Sequence, residues 1–139
     1  MTRDEAFAFL AAEPAHTGKL ALVRSDGAPI VVPIWFALDG EDLLFNTAAD
    51  NAKGRILRRD PRVAMCVDDE RPPFAFVTLH GTVTLSEDPD ELRAWATTIG
   101  GRYMGAERAG EFGARNGVPG ELLVRVRITR IRGQAGVAD

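Results

Sequence analysis

Six strand-like segments, joined mostly by short turns, limit the possible folds of this chain more than any other feature. Runs of β-branched and aromatic residues bounded by Gly, Pro, Asp and Asn are typical of strands. Helices are predicted only at the start, after the third strand and before the last, which is not the alternation that a parallel sheet needs. The strand segments are 19–24, 29–38, 42–46, 62–68, 74–85 and 121–132.

The last strand segment shows most clearly how such a sheet is buried. Apolar residues alternate with polar ones, as in an antiparallel strand with one covered face and one wet face. We therefore predict a mainly β fold with peripheral helices, a six-stranded antiparallel barrel in one domain over 1–139. A change of phase at Arg130-Ile131 predicts a bulge or strand end there. The apolar positions are Leu122, Val124, Val126 and Ile128, and the polar ones are Arg125, Arg127 and Thr129.

Four helices are predicted between these strands. The segment 2–12 carries Thr2 and Glu5 at the spacing of a capping box. The others are 51–59, a helix from 88 to about 103 and a weaker one at 106–115. The pair Gly100-Gly101 is expected to break or fray the third helix.

Composition excludes several classes of protein. The chain has 139 residues, a net charge of −3 and one cysteine, so neither an internal disulfide nor general attraction to nucleic acid is expected. No apolar run approaches the roughly 18 residues that span a bilayer. The first residues are acidic and lack the apolar core of a signal peptide. A cytoplasmic location is the simplest expectation.

The segment from Phe45 to Pro61 is the main candidate binding site. An apolar strand ends at Phe45, and a helix follows whose first turn carries Asn51, Lys53 and Arg55. Free N–H groups and the positive end of the helix dipole attract anions, and a lysine adds a full charge. We interpret this segment as a phosphate site. An ordinary surface helix capped by Asp50 or Asn51 remains the alternative.

Two strand segments are apolar on the face that a barrel strand should expose to solvent. Residues 29–38 are apolar on both faces. Phe74 and Phe76 lie on the face of their strand that is polar further along the chain. A second subunit, a flat ligand or the chain's own helices could cover these residues. Pro33 cannot donate to a ladder, so its strand must be interrupted or at an edge there. Such an edge beside Trp35 could accept a planar ring.

Protein-based catalytic chemistry is not apparent in the sequence. His16, His80 and Cys66 have no companions at metal-ligand spacing, so no metal site is predicted. No nucleophile elbow or phosphate-binding glycine loop is present. No catalytic residue is identified. A binding cleft without a nucleophile fits an enzyme whose cofactor carries the reactivity.

Over residues 7–137 the chain resembles the flavin/deazaflavin oxidoreductases, split β-barrel proteins related to pyridoxamine 5′-phosphate oxidase. The resemblance implies the FMN-binding split-barrel fold and a homodimer with two cofactor clefts at the subunit interface. It is strongest to the branch that uses coenzyme F-420, a 5-deazaflavin with a phospholactyl-polyglutamate tail. The matching segments include Val31-Val32-Pro33-Ile34-Trp35-Phe36, Asn51-Ala52-Lys53-Gly54-Arg55, Arg58-Arg59-Asp60-Pro61-Arg62 and Phe76-Val77-Thr78-Leu79-His80-Gly81-Thr82-Val83.

The resemblance also implies roles for individual residues. Lys53 matches the phosphate lysine of the family, and Asn51, Gly54 and Arg55 belong to the same segment. Further matches are the loop behind the ribityl chain, the strand against the deazaflavin ring, and a segment that approaches from the partner subunit. These three groups are Thr47 and Ala48; Pro33, Ile34 and Trp35; and Phe74 and Ala75.

Two departures count against pyridoxamine phosphate oxidase activity. Ala52 stands where those oxidases carry an arginine, which also weakens the case for FMN, and Arg130-Ile131-Arg132 stands where they carry Arg-x-His. The resemblance thus implies an F-420-dependent oxidoreductase that transfers a hydride between cofactor and a planar small molecule. The alternatives are an FMN-dependent reductase, a non-catalytic protein that binds F-420 or another flat ligand, and a purely structural dimer.

Overall fold

The structure, a computed structural model, describes residues 1–139 and is built on one antiparallel sheet of seven strands. Four helices accompany the sheet, and a short 3₁₀ turn at Ala106–Arg108 precedes the last of them. The strands are β1 Gly18–Val23, β2 Pro29–Ile34, β3 Ala37–Asp39, β4 Asp42–Ala48, β5 Arg62–Asp69, β6 Ala75–Ser86 and β7 Glu121–Gln134. The helices are α1 Arg3–Leu10, α2 Ala52–Arg59, α3 Pro89–Met104 and α4 Ala109–Asn116.

The prediction of a six-stranded barrel was wrong in the number of strands and in closure. The segment 29–38 divides into β2 and β3, with Trp35 and Phe36 between them, and the sheet is open. The backbone N–H of Phe36 bonds to the Tyr103 hydroxyl at 3.3 Å instead of to a neighbouring strand. Pro33 has no N–H to offer a second strand, and β2 is indeed an edge strand.

The strand order β2-β1-β5-β6-β7-β4-β3 places β2 and β3 at opposite edges of the sheet. The two linking residues, Trp35 and Phe36, therefore carry the chain from one edge to the other. A bulge lies where β6 meets β7, since His80 faces Arg130 while Gly81 faces Ile128. Thr129 is the extra residue, one position before the predicted phase change.

The predicted alternation of β7 is confirmed in the core. Leu122, Val124 and Val126 are fully or almost fully buried in the main apolar cluster. On the opposite face, Leu123 packs with Leu44 beneath α3, in a smaller cluster completed by Leu92 and Trp95. One of the chain's own helices thus covers the outer face of β4 and β7.

The outer face of β2, β1 and β5 has no such cover. A cross-strand row runs through Val31, Ala21, Ala64 and His80 to Arg130. Val31 exposes 66% of its surface and the neighbouring Val23 exposes 47%. We refer to this row and its flanking residues as the open face.

The helices begin and end close to their predicted positions. The capping box of Thr2 and Glu5 is confirmed at the start of α1. The expected break at Gly100-Gly101 was wrong, because α3 runs through both residues. Gly100 instead lets α4 approach, since a Cβ there would lie 2.4 Å from the Cβ of Phe112. None of the helices has both the length and the apolar character needed to span a membrane.

Candidate functional site

A cleft of about 610 Å³ opens where the ends of β2 and β4 meet the start of α2 and the end of α4. Its walls are formed by thirteen residues, four of them hydrophobic. Seven of the eleven predicted site residues lie together in this wall, although their positions span 33 to 53. They are Pro33, Ile34, Trp35, Thr47, Ala48, Asn51 and Lys53.

Asn51 fixes the start of α2 against the end of β4. Its Oδ1 accepts a hydrogen bond from the Gly54 N–H at 2.9 Å, so Asn51, not Asp50, is the N-cap. Its Nδ2 donates to the Thr47 hydroxyl at 3.1 Å. Because the amide is held at both ends, the first turn of the helix has a fixed direction relative to the strand.

The first turn of α2 has unpaired donors, and Lys53 carries those that lie at the cleft, since Ala52 borders a separate groove. Within the protein, the N–H groups of Gly54 and Arg55 are bonded to Asn51, whereas those of Ala52 and Lys53 have no acceptor. Lys53 lines the cleft and forms no ion pair. A helix start with free N–H groups and an unpaired ammonium is a site for an anion such as phosphate.

Gly54 and Arg55 are part of this turn but do not line the cleft. A Cβ on Gly54 would lie 2.3 Å from the Ala48 carbonyl oxygen, so the glycine allows α2 to press against the end of β4. The Arg55 guanidinium donates to the backbone carbonyl of Asp50. The same side chain borders a separate groove with Arg24 and Arg59.

Trp35 forms the aromatic wall of the cleft and is stacked from behind. Its ring lies parallel to that of Tyr103, with centroids 5.2 Å apart and 3° between the planes. The Tyr103 hydroxyl donates to the His16 carbonyl at 2.8 Å and accepts from the Phe36 N–H at 3.3 Å. Burial raises the pKa of that hydroxyl, so it stays a neutral donor.

Arg102 holds the link formed by Trp35 and Phe36 from the other side. Its guanidinium donates to the carbonyl oxygens of Phe36 at 2.5 Å, Leu10 at 3.2 Å and Ala12 at 3.4 Å. The side chain is only 13% exposed. One side chain of α3 thereby joins the end of α1 to the link that carries Trp35.

Six further residues of the cleft wall were not identified from the sequence. They come from five parts of the chain that only the fold brings together: Thr17, Asn46, Ile99, Arg115, Asn116 and Glu121. One signal was available, since the amide Asn46 directly follows the apolar run Leu43-Leu44-Phe45 in the same strand. The other five lie in loop, helix and strand-end positions that carry no distinctive spacing.

Glu121 is the only carboxylate in the wall. It begins β7 opposite Ala48, and its Oε1 accepts a hydrogen bond from the Asn46 amide at 3.1 Å. Burial raises the pKa of the Glu121 carboxyl, whereas the Asn46 hydrogen bond and the charge of Lys53 act to lower it. The cleft therefore contains one partly desolvated acid in the same wall as the unpaired ammonium of Lys53.

Phe74 and Ala75 lie elsewhere, in a groove of about 360 Å³ bordered by the 69–75 segment, Ala135 and Gly136. Phe74 precedes β6 with a φ of 65°, a left-handed conformation that is rare for a bulky residue. The side chain is 41% exposed. Neither residue reaches the cleft of its own chain, so an approach from a partner subunit stays a prediction.

The arrangement suits a planar ligand with an anionic tail. An apolar and aromatic wall from Ile34 and Trp35 lies at one part of the cleft, and Lys53 lies at another. The wall contains no cysteine, serine or histidine that could act as a nucleophile or base. The groups that the wall does offer are suited to binding and orienting a ligand, and Glu121 is its one acid.

Comparison with known proteins agrees with this fold. The pyridoxamine 5′-phosphate oxidase family model matches residues 2–135. A structure described as an F420 reductase is 31% identical, covers 90% of this chain and 94% of its own, and superposes with a TM-score of 0.71. No curated protein matches the chain.

Two further solved structures are similar. A conserved hypothetical protein from Mycobacterium tuberculosis is 26% identical with a TM-score of 0.83, over 98% of this chain and 86% of that one. A putative pyridoxamine 5′-phosphate oxidase from Listeria innocua is 23% identical, covers 93% and 94% of the two chains, and has a TM-score of 0.71, which shows the fold alone. The chain belongs to the pyridoxamine 5′-phosphate oxidase-like family of split-barrel proteins, which includes flavin and deazaflavin oxidoreductases.

Proposed function

We propose that this protein is an oxidoreductase that uses coenzyme F-420 to transfer a hydride to or from a planar small molecule. The observation that carries the proposal is the cleft itself, in which an aromatic wall at Trp35 and an unpaired ammonium at Lys53 share one cavity. The similarity to an F420 reductase over 90% of the chain supports the deazaflavin branch. Ala52 supports it as well, because the family resemblance associates an arginine there with FMN-type phosphate binding.

The chain's own contribution would be binding and orientation. Lys53 and the free N–H groups of α2 would hold the phosphate, with Asn51 fixing the direction of the helix. Ile34 and Trp35 would pack on the ring, and Thr47 and Ala48 would back the chain between ring and phosphate. The bound deazaflavin would supply two-electron hydride transfer from carbon-5. Arg115 is the cleft cation placed to meet further negative charge.

A homodimer is part of the proposal, formed through the open face. Val31, at 66% exposure, lies in its outermost strand, and Phe74 can contribute to a cleft only in a second copy. Val31→Asp should convert a dimer to a monomer in sedimentation experiments, because it would bury a charge in an apolar interface. Val118→Asp changes a valine that is 38% exposed between α4 and β7, away from this face, and should leave the dimer intact. A monomeric wild-type protein would contradict the proposed dimer.

The cofactor is tested by paired fluorescence titrations with F-420 and with FMN. Saturable F-420 binding with much weaker FMN binding is expected. Preference for FMN would favour the FMN-dependent reductase, and binding of F-420 without turnover of any acceptor would favour a non-catalytic carrier. If neither ligand binds, the proposed function fails.

Lys53→Ala should weaken F-420 binding by about 1.5–3 kcal/mol, the scale of a hydrogen bond to a charged group. Arg58→Ala is the matched control, since it removes one positive charge from the same helix at a residue paired with Glu87 outside the cleft. An unchanged dissociation constant in Lys53→Ala would rule out the phosphate role. Equal weakening in both variants would show a general charge effect instead.

A further inference from the structure

Glu121 is poorly matched to a cleft that binds anions. It is half-buried, and it shares the cavity with Lys53 and Arg115 without forming an ion pair with either. Its Oε1 is bonded only by the neutral Asn46 amide, and its Oε2 has no partner in the protein. A carboxylate in this position repels the anion that Lys53 attracts.

The charges around Glu121 determine how it responds to a ligand. Burial disfavours the ionised form of Glu121, as does Asp50 before α2. The Asn46 hydrogen bond and Lys53 of α2 favour it. Arg115 of α4 lies in the same cleft wall. From β4 only the neutral Asn46 reaches it. An anion bound at Lys53 would cancel the nearest favourable charge and add a repulsive one. Both changes favour the protonated carboxylic acid.

We propose that Glu121 makes ligand binding in this cleft proton-linked: the carboxylate binds a proton from solvent more readily once an anionic group binds beside Lys53. The protonated group then presents an O–H donor at Oε2 to the ligand, in place of a repulsive charge. The proposal rests on the proposed function for the identity of the ligand. It goes beyond that function by making Glu121 the residue through which pH controls the binding of an anionic group.

The first test compares F-420 binding to the wild type and to Glu121→Gln between pH 5 and pH 8. Glutamine keeps the acceptor for Asn46 and removes the charge. The ratio of the wild-type to the variant dissociation constant should rise with pH, by about tenfold if binding raises the Glu121 pKa by one unit. The ligand's own titration cancels in this ratio. A ratio that is constant across the range would overturn the proposal.

The second test needs no cofactor. Carbon NMR of the Glu121 carboxyl in the unliganded protein should show a higher pKa in Lys53→Ala than in the wild type, since the variant removes the charge that an anion would neutralise. Identical titrations would overturn the coupling. If neither F-420 nor FMN binds, the proposed function fails, yet this second test still decides whether Lys53 and Glu121 are coupled.

Discussion

Arg102→Ala should destabilise the protein by about 3 kcal/mol, because it leaves up to three carbonyl groups without their donor. The side chain is 13% exposed, and its guanidinium donates to the carbonyl oxygens of Phe36, Leu10 and Ala12. It also lies over the Phe36 ring, 5.1 Å from its centroid. A domain of this kind has only about 5–15 kcal/mol of stability, so the change should be evident as a lower urea midpoint with an unchanged slope.

An exposed arginine is the control for this prediction. Arg3 pairs with Glu41 across the surface, and both side chains are more than half exposed. Arg3→Ala should change the free energy of unfolding by less than about 1 kcal/mol. Similar midpoints for the two variants would show that the Arg102 hydrogen bonds do not hold α1 and the Trp35-Phe36 link together.

The Trp35-Phe36 link also shows why the sequence predicts the strands better than it predicts whether the sheet closes into a barrel. An apolar run with Pro33 indicates an interrupted or edge strand, and that prediction is confirmed. The position of the interruption depends on Tyr103 and Arg102, which lie more than 65 residues away. No local pattern encodes a partner at that distance, so the run was interpreted as one strand.

The residues of the cleft show the same difference between local and long-range features. The pattern of a strand followed by a helix start indicated Asn51 and Lys53 as site residues, because a cap and a first helical turn are local features. Glu121 and Arg115 reach the cleft only through the pairing of β4 with β7 and the packing of α4. Gly54 was assigned to the cofactor by resemblance, whereas its geometry shows a close contact between helix and strand.

Gly54→Ala should damage both stability and ligand binding, and it tests that contact directly. The new methyl carbon would lie 2.3 Å from the Ala48 carbonyl oxygen and 2.5 Å from that of Ala49, and backbone atoms cannot rotate away as a flexible side chain would. Overpacking of this kind costs about 1–3 kcal/mol. Relief requires α2 to move off β4, which displaces Lys53 from the cleft. We expect F-420 affinity to fall by about tenfold or more, equivalent to about 1.4 kcal/mol.

Gly110→Ala makes the same substitution where the structure leaves room. Gly110 lies in α4, and a Cβ there would meet nothing within 4 Å. Alanine should stabilise that helix by about 0.5–1 kcal/mol and leave ligand affinity unchanged. The two glycine variants therefore have opposite expected signs in thermal or urea unfolding. If Gly54→Ala retained full stability and affinity, close contact between α2 and β4 could not be what positions Lys53, and the anion site would have to depend on the Asn51 cap alone.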